Sequence, residues 1–415
     1  MTAVIDMTAS AARAAERHRQ EGKGPHEGAE ATPIRVCFVS PLGGGLYRAD
    51  RGYAGGAELQ FFHLSQSLSH DRQFHVSVLV TETGAPTVDA SGAVKVFSRQ
   101  GKSRLAQVAP SIGAWTGMLR QSVEAFREMG ALFRTIDADV FLHAGAGVEV
   151  GAYALLCRLM GKRFVFVVAS SADLRSLCGS VRGPLRWLYP IGVYLAHAVI
   201  CRTEEQQEWL RRRYRREGIL IRTAHPSEPD CLRPVGRVDA PSILWAGRLD
   251  KVKQPEIFLE LARSFPMERF AMLVIHGDGQ AGEMARLRQQ VKELPNVTLA
   301  ENLPWHQTGR WFAAAKLFVN TSAYEGFPNT FVQAAMYGTP ILSLGVDPDG
   351  VLSRFEIGAC AAGSIDRLKH LVTRFCASDG LRAEYGARAR AYAKDRHGID
   401  RCTEQLKTLI RSMAG

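Results

Sequence analysis

Residues 317–344 read LFVNTSAYEGFPNTFVQAAMYGTPILSL, and this stretch decides the fold. Apolar runs at 317–320 and 340–344 predict two buried strands. Between them, residues 329–337 (NTFVQAAMY) follow a loop that contains glycine and proline, and they are typical of a helix. A strand, a helix and a second strand in this order predict parallel strands joined by a crossover helix.

The same alternation runs through the rest of the chain, so we expect an α/β fold with two similar open domains. The strands predicted in the first half are residues 34–40, 75–81, 140–143, 163–168, 198–201 and 219–223. Those predicted in the second half are residues 243–247, 271–277 and 297–299, besides the two above. The helices predicted between them are residues 56–69, 103–134, 203–214, 254–265, 282–293 and 306–314, with three more between 365 and 413.

Three segments are expected along the chain. Residues 1–32 are expected to be a disordered leader, 33–235 a first α/β domain and 236–415 a second one. The polar, proline-containing stretch 225–241 marks the junction. The last helix could cross back and pack on the first domain. Two such domains form a cleft at the carboxyl ends of both sheets, where ligands of these folds bind.

The composition is that of an ordinary globular protein, with 415 residues, 46% hydrophobic and 22% charged. Its eight cysteines show no C-x-x-C spacing, which argues against a zinc site or a disulfide framework and for a reducing compartment. The N-terminal stretch lacks the apolar region of a secretory signal. The longest apolar run, 187–201, is too short to span a bilayer. We therefore expect a cytoplasmic protein.

The net charge of +11 is concentrated in the first half, where residues 33–235 hold 25 basic and 17 acidic side chains. A basic surface attracts phosphorylated ligands, anionic lipid or nucleic acid. The dense run at 211–216 is equally well explained as a solvated helix face. No interleaved basic and aromatic motif supports nucleic acid. Apolar residues within the basic helix 103–134 could rest on an anionic membrane or simply be core: Leu105, Ile112, Trp115 and Leu119.

Two loops carry groups suited to an anion. Loop 41–60 ends at Gly55 and Gly56, which open a helix whose free N–H groups favour a phosphate, although a tight strand-to-helix turn is the alternative. Arg248 and Lys253 follow the first strand of the second half and are a natural clamp for a diphosphate, with a surface salt bridge as the alternative. Fixed cations stabilise the charge that grows on a leaving diphosphate without a metal.

The loop within the opening stretch carries Glu325, which can accept hydrogen bonds from sugar hydroxyls or merely complement a helix dipole. Gly326 permits an unusual backbone angle there. A smaller loop containing Gly277 could border a nucleotide. Asp347 and Asp349 look like a metal-binding motif, but they precede a glycine, and we interpret them as a turn and predict no metal.

These segments together resemble the retaining glycosyltransferases of family 4, which have the GT-B architecture of two Rossmann-like domains. The resemblance covers roughly residues 34–400. It rests on GGAE (55–58), GRLDKVK (247–253), IHGDG (275–279) and YEGFPNTFVQAAMYGTPILSL (324–344).

The resemblance implies roles for particular residues. Gly56 would lie against the donor phosphates, Arg248 and Lys253 would hold the diphosphate, and Glu325 would contact the transferred sugar. The donor-binding set so implied is Gly55, Gly56, Gly277, Gly326, Phe327, Asn329, Thr330 and Gln333. The donor is a nucleotide-diphosphate sugar used as a co-substrate, with no cofactor and no metal.

This chain departs from the family at two places. The second glutamate of the family motif is Gln333 here, which can accept one hydrogen bond and donate another but cannot act as a carboxylate. The histidine that many members carry after the strand at 163–168 is absent. Ser171, Asp173 or His143 could take its place near the acceptor, and His143 could equally be a packed residue.

The activity implied is transfer of a sugar to an acceptor hydroxyl with retention, in polysaccharide or glycolipid synthesis. The expected acceptor is a glycan or a lipid-linked molecule, and an anionic membrane surface is a further expected partner, placing the protein at the inner face of the membrane. Two alternatives keep the fold: a nucleotide-sugar epimerase or hydrolase, and a catalytically degenerate nucleotide-sugar-binding module.

Overall fold

The first half of the chain builds a seven-stranded parallel sheet in the order β3-β2-β1-β4-β5-β6-β7. In this computed structural model, residues 32–47, 55–82, 93–100, 115–176, 178, 181, 183–226 and 243–414 are described. The strands are β1 Ile34–Val39, β2 Phe74–Glu82, β3 Val94–Gln100, β4 Val140–Ala144, β5 Arg163–Val167, β6 Ala198–Cys201 and β7 Ile219–Leu220. The central strand β1 pairs in register with both neighbours, so that Val36 lies opposite Val76 and Val140.

The second half builds a six-stranded parallel sheet in the order β10-β9-β8-β11-β12-β13. Its strands are β8 Ile243–Arg248, β9 Phe270–Ile275, β10 Val297–Glu301, β11 Leu317–Asn320, β12 Ile341–Ser343 and β13 Gly358–Cys360. Because β8 lies between β9 and β11, the loops that follow these three strands meet at one edge of the sheet. The predicted α/β fold with two doubly wound, Rossmann-like sheets is confirmed.

Helices cover both faces of each sheet, and buried side chains fill both sides. Those associated with the first sheet are α1 Gly56–Ser69, α2 Trp115–Ile136, α3 Glu149–Leu159, α4 Ala172–Arg175, α5 Leu188–Leu195 and α6 Glu204–Tyr214. Those that follow β8 are α7 Pro255–Ser264, α8 Ala281–Lys292, α9 Trp305–Ala314, α10 Asn329–Met336, α11 Val351–Arg354, α12 Ile365–Cys376, α13 Asp379–His397 and α14 Ile399–Ala414.

The last helix, α14, packs on the first sheet. Leu406 and Ile410 belong to the same buried cluster as β1 and α1, and Thr403 donates a hydrogen bond of 2.9 Å to Ser67 on α1. The chain returns to the first sheet beside the segment that leaves it. His225 N–H donates to the carbonyl of His397, and Ile399 N–H donates to the carbonyl of His225, at 2.8 and 2.9 Å.

Three sequence predictions about strands need correction. The segment predicted as strand 219–223 is a strand only over Ile219–Leu220, because the next backbone groups bind side chains: the Arg222 carbonyl accepts from Arg202, and Ala224 pairs with Gln60. Strands β3 and β13 were not predicted. The first carries polar side chains at four of its seven positions, and the second is only three residues long.

Several predictions about helices can be compared directly. The helix predicted over 203–214 is α6, and it begins at a cap in which the Thr203 hydroxyl accepts a hydrogen bond from the N–H of Gln206. The helix predicted over 103–134 runs over Trp115–Ile136, and its predicted first part lies outside the described residues. So do residues 1–31, most of the junction 225–241, Leu105 and Ile112, and the side chains of Trp115 and Leu119.

None of the described helices combines enough length with enough apolar character to cross a membrane. The apolar run 187–201 is divided between the end of a 3-10 turn, α5 and β6. The strand predicted over 198–201 is β6.

Candidate active site

A cavity of about 520 Å³ lies at the carboxyl ends of both sheets. Two surfaces line it. The first-sheet wall consists of residues 55–60, 144, 145, 167–170, 172, 173, 202 and 223. The second-sheet wall consists of residues 246–248, 250, 252, 253, 273–275, 303, 305, 308, 312, 324–330 and 333.

An ion pair between Lys253 and Glu325 lies on the second-sheet wall. Both side chains are mostly buried, and Glu325 Oε1 also accepts a hydrogen bond of 2.8 Å from the Ser322 hydroxyl. The pair forms because β8 and β11 are neighbours, so their loops run side by side, and Ala323 N–H donates to the Val252 carbonyl at 2.8 Å. Glu325 Oε2 makes no hydrogen bond within the described residues, and it remains available to a ligand.

Arg248 differs from Lys253 in having no partner. Its side chain is exposed, and it makes no hydrogen bond or ion pair with the residues that the structure describes. It extends towards the start of α1, where a Cβ placed on Gly55 would lie 3.8 Å from Arg248 Nη1. A free guanidinium opposite the N-terminus of a helix is an arrangement that attracts an anion.

The two walls approach most closely at two glycines. The Gly56 carbonyl accepts a hydrogen bond of 2.7 Å from the Asn329 side chain, and a Cβ on Gly56 would lie 2.7 Å from that amide nitrogen. A Cβ on Gly326 would lie 2.6 Å from the Ala169 carbonyl oxygen. A side chain at position 326 would press on that backbone carbonyl and push the walls apart, whereas one at position 56 would have to displace the Asn329 side chain. Glycine is therefore required at position 326 for close approach of the two walls.

Helix α10 points its N-terminus into the cavity. Phe327, Asn329 and Thr330 line the cavity at this end, and Gln333 follows one turn later. The Gln333 side chain is almost fully buried and makes no hydrogen bond within the described part of the chain. Its amide is therefore free to contact a ligand.

Asp173 is a buried carboxyl group on the first-sheet wall. Its Oδ2 accepts hydrogen bonds from the N–H groups of Ala169 and Ser170, at 3.1 and 3.0 Å. Burial raises the pKa of Asp173 to about 6, against the lowering effect of those two bonds. A carboxylate with a pKa near neutrality can accept a proton during a reaction.

The sequence was compared with protein families and with known proteins. Residues 240–368 match the family described as "Glycosyl transferases group 1". The chain is 28% identical over 171 residues to a D-inositol 3-phosphate glycosyltransferase of Xylanimonas cellulosilytica. That match covers 39% of this chain and only 40% of the length of the relative.

The second half of this chain is therefore similar to group 1 glycosyltransferases.

Similar solved structures show that the chain has the GT-B fold. Sucrose-phosphate synthase from Thermosynechococcus elongatus is similar with a TM-score of 0.72 and 17% identity, over 92% of this chain and 99% of that one. HepE from Anabaena, solved with UDP-glucose, has a TM-score of 0.65 and 17% identity, over 91% and 100%. A TarM variant from S. aureus, solved with UDP, has a TM-score of 0.68 and 10% identity, over 91% and 99%.

These findings confirm the expected family 4 and the expected architecture. Family 4 is a hexosyltransferase family that acts without a metal. The described residues contain no group of three or more His, Cys, Asp or Glu side chains that could hold a metal ion.

Three of the residues singled out in the sequence lie away from the cavity surface. Ser171 is buried, with its hydroxyl 3.5 Å from Glu205. His143 is buried edge-on against Tyr153, with Nδ1 3.3 Å from the Val39 carbonyl, and burial lowers its pKa. Gly277 N–H binds the Gln280 side chain. The other eleven line the cavity: Gly55, Gly56, Asp173, Arg248, Lys253, Glu325, Gly326, Phe327, Asn329, Thr330 and Gln333.

Arg202, Thr223 and Trp305 are among the cavity residues that were not singled out in the sequence. Arg202 and Thr223 follow β6 and β7 at the carboxyl edge of the first sheet, and Trp305 begins α9. The Trp305 ring crosses to α1, where it packs edge-on against His63 with ring centres 5.0 Å apart. One signal could have found Arg202: it is a charged residue directly after a fully apolar strand (AVIC) at the edge where ligands bind.

Asp349 connects the two halves of the chain. It lies in the turn predicted from the sequence, which forms a 3-10 helix at Pro348–Gly350. Its buried carboxylate accepts from the N–H groups of Glu204 and Glu205 at the start of α6, both at 3.0 Å, and pairs with Arg222 at 3.1 Å. The aspartate that looked like a metal ligand is therefore a helix cap.

Proposed function

We propose that this protein moves a sugar from a nucleotide-diphosphate sugar to an acceptor hydroxyl, with retention at the anomeric carbon. The observation that carries the proposal is Arg248, an unpaired cation across the cavity from the uncapped start of α1 at Gly55 and Gly56. That gap suits a diphosphate, which needs cations and N–H donors on opposite sides. UDP-sugars are the first donors to try, because HepE and TarM were solved with UDP-glucose and UDP.

The second-sheet wall supplies the groups for bond cleavage. As the sugar–phosphate bond breaks, negative charge grows on the diphosphate, and Arg248 and Lys253 stabilise it. The leaving phosphate oxygen accepts the proton of the acceptor hydroxyl, which then bonds to the anomeric carbon on the same face. Glu325 is held by Lys253 and Ser322 through Oε1, so its Oε2 is free to accept from a sugar hydroxyl. The N–H groups of Gly326 and Phe327 can also face the donor.

The first-sheet wall is assigned to the acceptor. In this proposal residues 33–235 form the acceptor domain and 236–415 the donor domain, with α14 returning to the first. Asp173 is the acceptor-side group that reaches the cavity, with a pKa of about 6. It would orient the acceptor hydroxyl or share its proton.

We place the acceptor in polysaccharide or glycolipid synthesis at an anionic membrane surface in the cytoplasm. Helices α3 and α5 cover the same face of the first sheet. Leu159 on α3 (71%), Ile191 on α5 (46%) and Trp187 in the turn before α5 (51%) are exposed. Segments 150–163 and 183–197 contain four basic residues and no acidic one. An apolar surface among basic residues suits an anionic bilayer. The described cysteines are all unpaired, which fits a reducing compartment.

The membrane proposal is tested by sedimentation with vesicles. Binding to phosphatidylglycerol vesicles should exceed binding to phosphatidylcholine and should weaken with salt. Replacing Leu159 and Trp187 by serine should lower it by about tenfold. Met267, which is 93% exposed in the second half, provides the matched control, since Met267→Ser should change nothing. Equal binding by both variants would contradict this surface.

The activity is tested by incubating the protein with a panel of nucleotide sugars and following the products by mass spectrometry. A donor should be consumed faster with acceptor than without it, and NMR of the product should show the donor's anomeric configuration. Activity should persist in EDTA. Rapid epimer formation or nucleotide release without an acceptor would favour an epimerase or hydrolase instead. Absence of binding to every nucleotide would favour a degenerate binding module.

A further inference from the structure

The first-sheet wall contains a buried cation that has no carboxylate partner. Arg202 follows β6 and is only 6% exposed, yet it lines the cavity. Its guanidinium donates one hydrogen bond, from Nη1 to the Arg222 carbonyl at 3.2 Å. In the described part of the chain, Nε and Nη2 have no acceptor and no acidic side chain forms an ion pair with this arginine.

This arrangement differs from that of the other poorly exposed cations near the cavity. Lys253 is paired with Glu325, and Arg222 is paired with Glu204 and Asp349. Burial lowers the pKa of Arg202 only to about 10, so the side chain stays positive at neutral pH. An uncompensated buried charge is strongly unfavourable. Arg202 is therefore expected to meet an anion that the protein itself does not supply.

A hydroxyl lies beside this cation. Arg202 binds the Arg222 carbonyl, and Thr223 is the next residue in the chain. The Thr223 side chain is buried and lines the cavity, and it makes no hydrogen bond among the described residues. The backbone around it is fixed. The Thr223 carbonyl lies 2.7 Å from His397 Nδ1, and Gln60 binds both the N–H and the carbonyl of Ala224, at 2.6 and 2.8 Å. A fixed guanidinium next to a fixed hydroxyl is suited to an oxyanion.

The anion at this place differs from the donor diphosphate that the proposed function assigns to the other wall. Arg248 on the second-sheet wall and the start of α1 already provide for that diphosphate. Arg202 and Thr223 lie at the ends of β6 and β7, on the wall assigned to the acceptor. We propose that Arg202 and Thr223 bind a phosphate group of the acceptor, so that the acceptor is a phosphorylated hydroxyl compound. This assignment rests on the proposed function.

Binding of inorganic phosphate tests the site without requiring activity. The measurements use full-length protein carrying Arg248→Ala, so that the donor-side cation is absent, and they follow phosphate binding by calorimetry and thermal shift. Adding Arg202→Gln should weaken phosphate binding by about 10- to 100-fold. Thr223→Val, which keeps the side-chain volume, should weaken it by about 3- to 10-fold. Arg175→Gln, at an exposed arginine, should leave it unchanged.

Two results would overturn the site. The first is that the Arg248→Ala protein binds no phosphate, and the second is that Arg202→Gln leaves phosphate binding as tight as before. If Arg202→Gln does not fold, Arg202→Lys and Thr223→Val still decide. Lysine keeps the positive charge but lacks the paired N–H donors of the planar guanidinium, so Arg202→Lys should weaken phosphate binding by about tenfold. No effect from either variant would also contradict the proposal.

Turnover then identifies the source of the phosphate. With the donor found in the screen, kcat/KM should be higher for soluble sugar phosphates, or for a lipid phosphate in vesicles, than for the same acceptors without phosphate. Arg202→Gln should raise KM for the phosphorylated acceptor by about 10- to 100-fold while the KM for the donor stays constant. A matching rise in donor KM would place the anion on the donor and overturn the assignment. A wild-type protein that binds phosphate but turns over no donor would refute the proposed function and leave the anion site standing.

Discussion

The two walls of the cavity present their charges in opposite ways. On the second-sheet wall, Lys253 is paired with Glu325 in a loop, and Arg248 is exposed and unpaired. On the first-sheet wall, Arg202 and Asp173 are buried at or just beyond strand ends, without a partner of opposite charge within the described residues. An exposed cation can bind many phosphates, whereas a buried one has room only for an anion that fits.

Under the proposed function, this difference matches what each wall has to recognise. A diphosphate is common to many donors, and a pair of loops is sufficient to hold it. An acceptor has to be distinguished from similar hydroxyl compounds, and a buried group left unpaired by the wrong ligand gives strong discrimination. The family match over 240–368 contains the loops of the second-sheet wall and ends before the returning helix α14.

Removal of the exposed cation should have the largest effect. Arg248→Ala removes the unpaired charge opposite the developing diphosphate, so kcat should fall by about 100- to 1,000-fold, or about 2–4 kcal/mol of barrier. Lys251→Ala changes an exposed lysine in the same loop that lies outside the cavity lining, and it should leave kcat unaltered. Turnover near that of the wild type in Arg248→Ala would remove the basis for the donor assignment.

The buried carboxylate should make stability depend on pH. Because the folded pKa of Asp173 is about 6, above the value of about 3.9 in an unfolded chain, the folded state holds its proton more tightly. The unfolding free energy should therefore fall as the pH rises from about 4 to about 6, by up to about 3 kcal/mol, and stay level above that. Asp173→Asn should lack this fall when melting temperatures are compared across pH. Parallel curves for both proteins would show that Asp173 titrates normally.

The ion pair of the second-sheet wall should show coupling. Lys253→Met and Glu325→Gln each leave one partner uncompensated in a mostly buried place, and the double variant leaves neither. A double-mutant cycle in thermal stability should give a coupling of about 1–2 kcal/mol. Additive effects would mean that the two side chains act independently. That result would contradict the interpretation of Lys253 and Glu325 as a coupled ion pair.

The cap between the two halves should have the smallest effect. Asp349→Ala removes the acceptor for two N–H groups of α6 and the partner of Arg222, so the melting temperature should fall by about 2–4 °C, corresponding to about 1 kcal/mol. Asp366→Ala, at an exposed aspartate in the first turn of α12, is the comparison and should cost less than about 0.5 kcal/mol. An equal fall in both variants would contradict a special role for Asp349.

The sequence predicts the second-sheet wall better than the first-sheet wall. Predicted strands next to Arg248 and Glu325 agree with the structure to within a residue or two, because short apolar runs with glycine-containing loops are strong local signals. The three-residue strand β13 is too short to show a period. Gly55 and Gly56 were found because a glycine pair at a helix start has few other uses.

The remaining features depend on distance in space rather than in sequence. Arg202 resembles an ordinary charged residue at a strand end, and only the folded chain shows that it is buried. Asp349 caps a helix that lies 144 residues earlier in the chain, which no local pattern can reveal. His143 and Ser171 lie off the cavity surface for a similar reason, since only the packed sheet shows which side of a strand end faces the ligand.

The chain crosses between the sheets by two segments that are joined where they meet, at His225 and at His397–Ile399. Because these two connections are fixed to each other, they oppose sliding of one sheet past the other. Rotation about the line through the connections is then the easiest relative movement of the sheets. A label placed on α14 would report the position of the first sheet, although it follows the second in sequence.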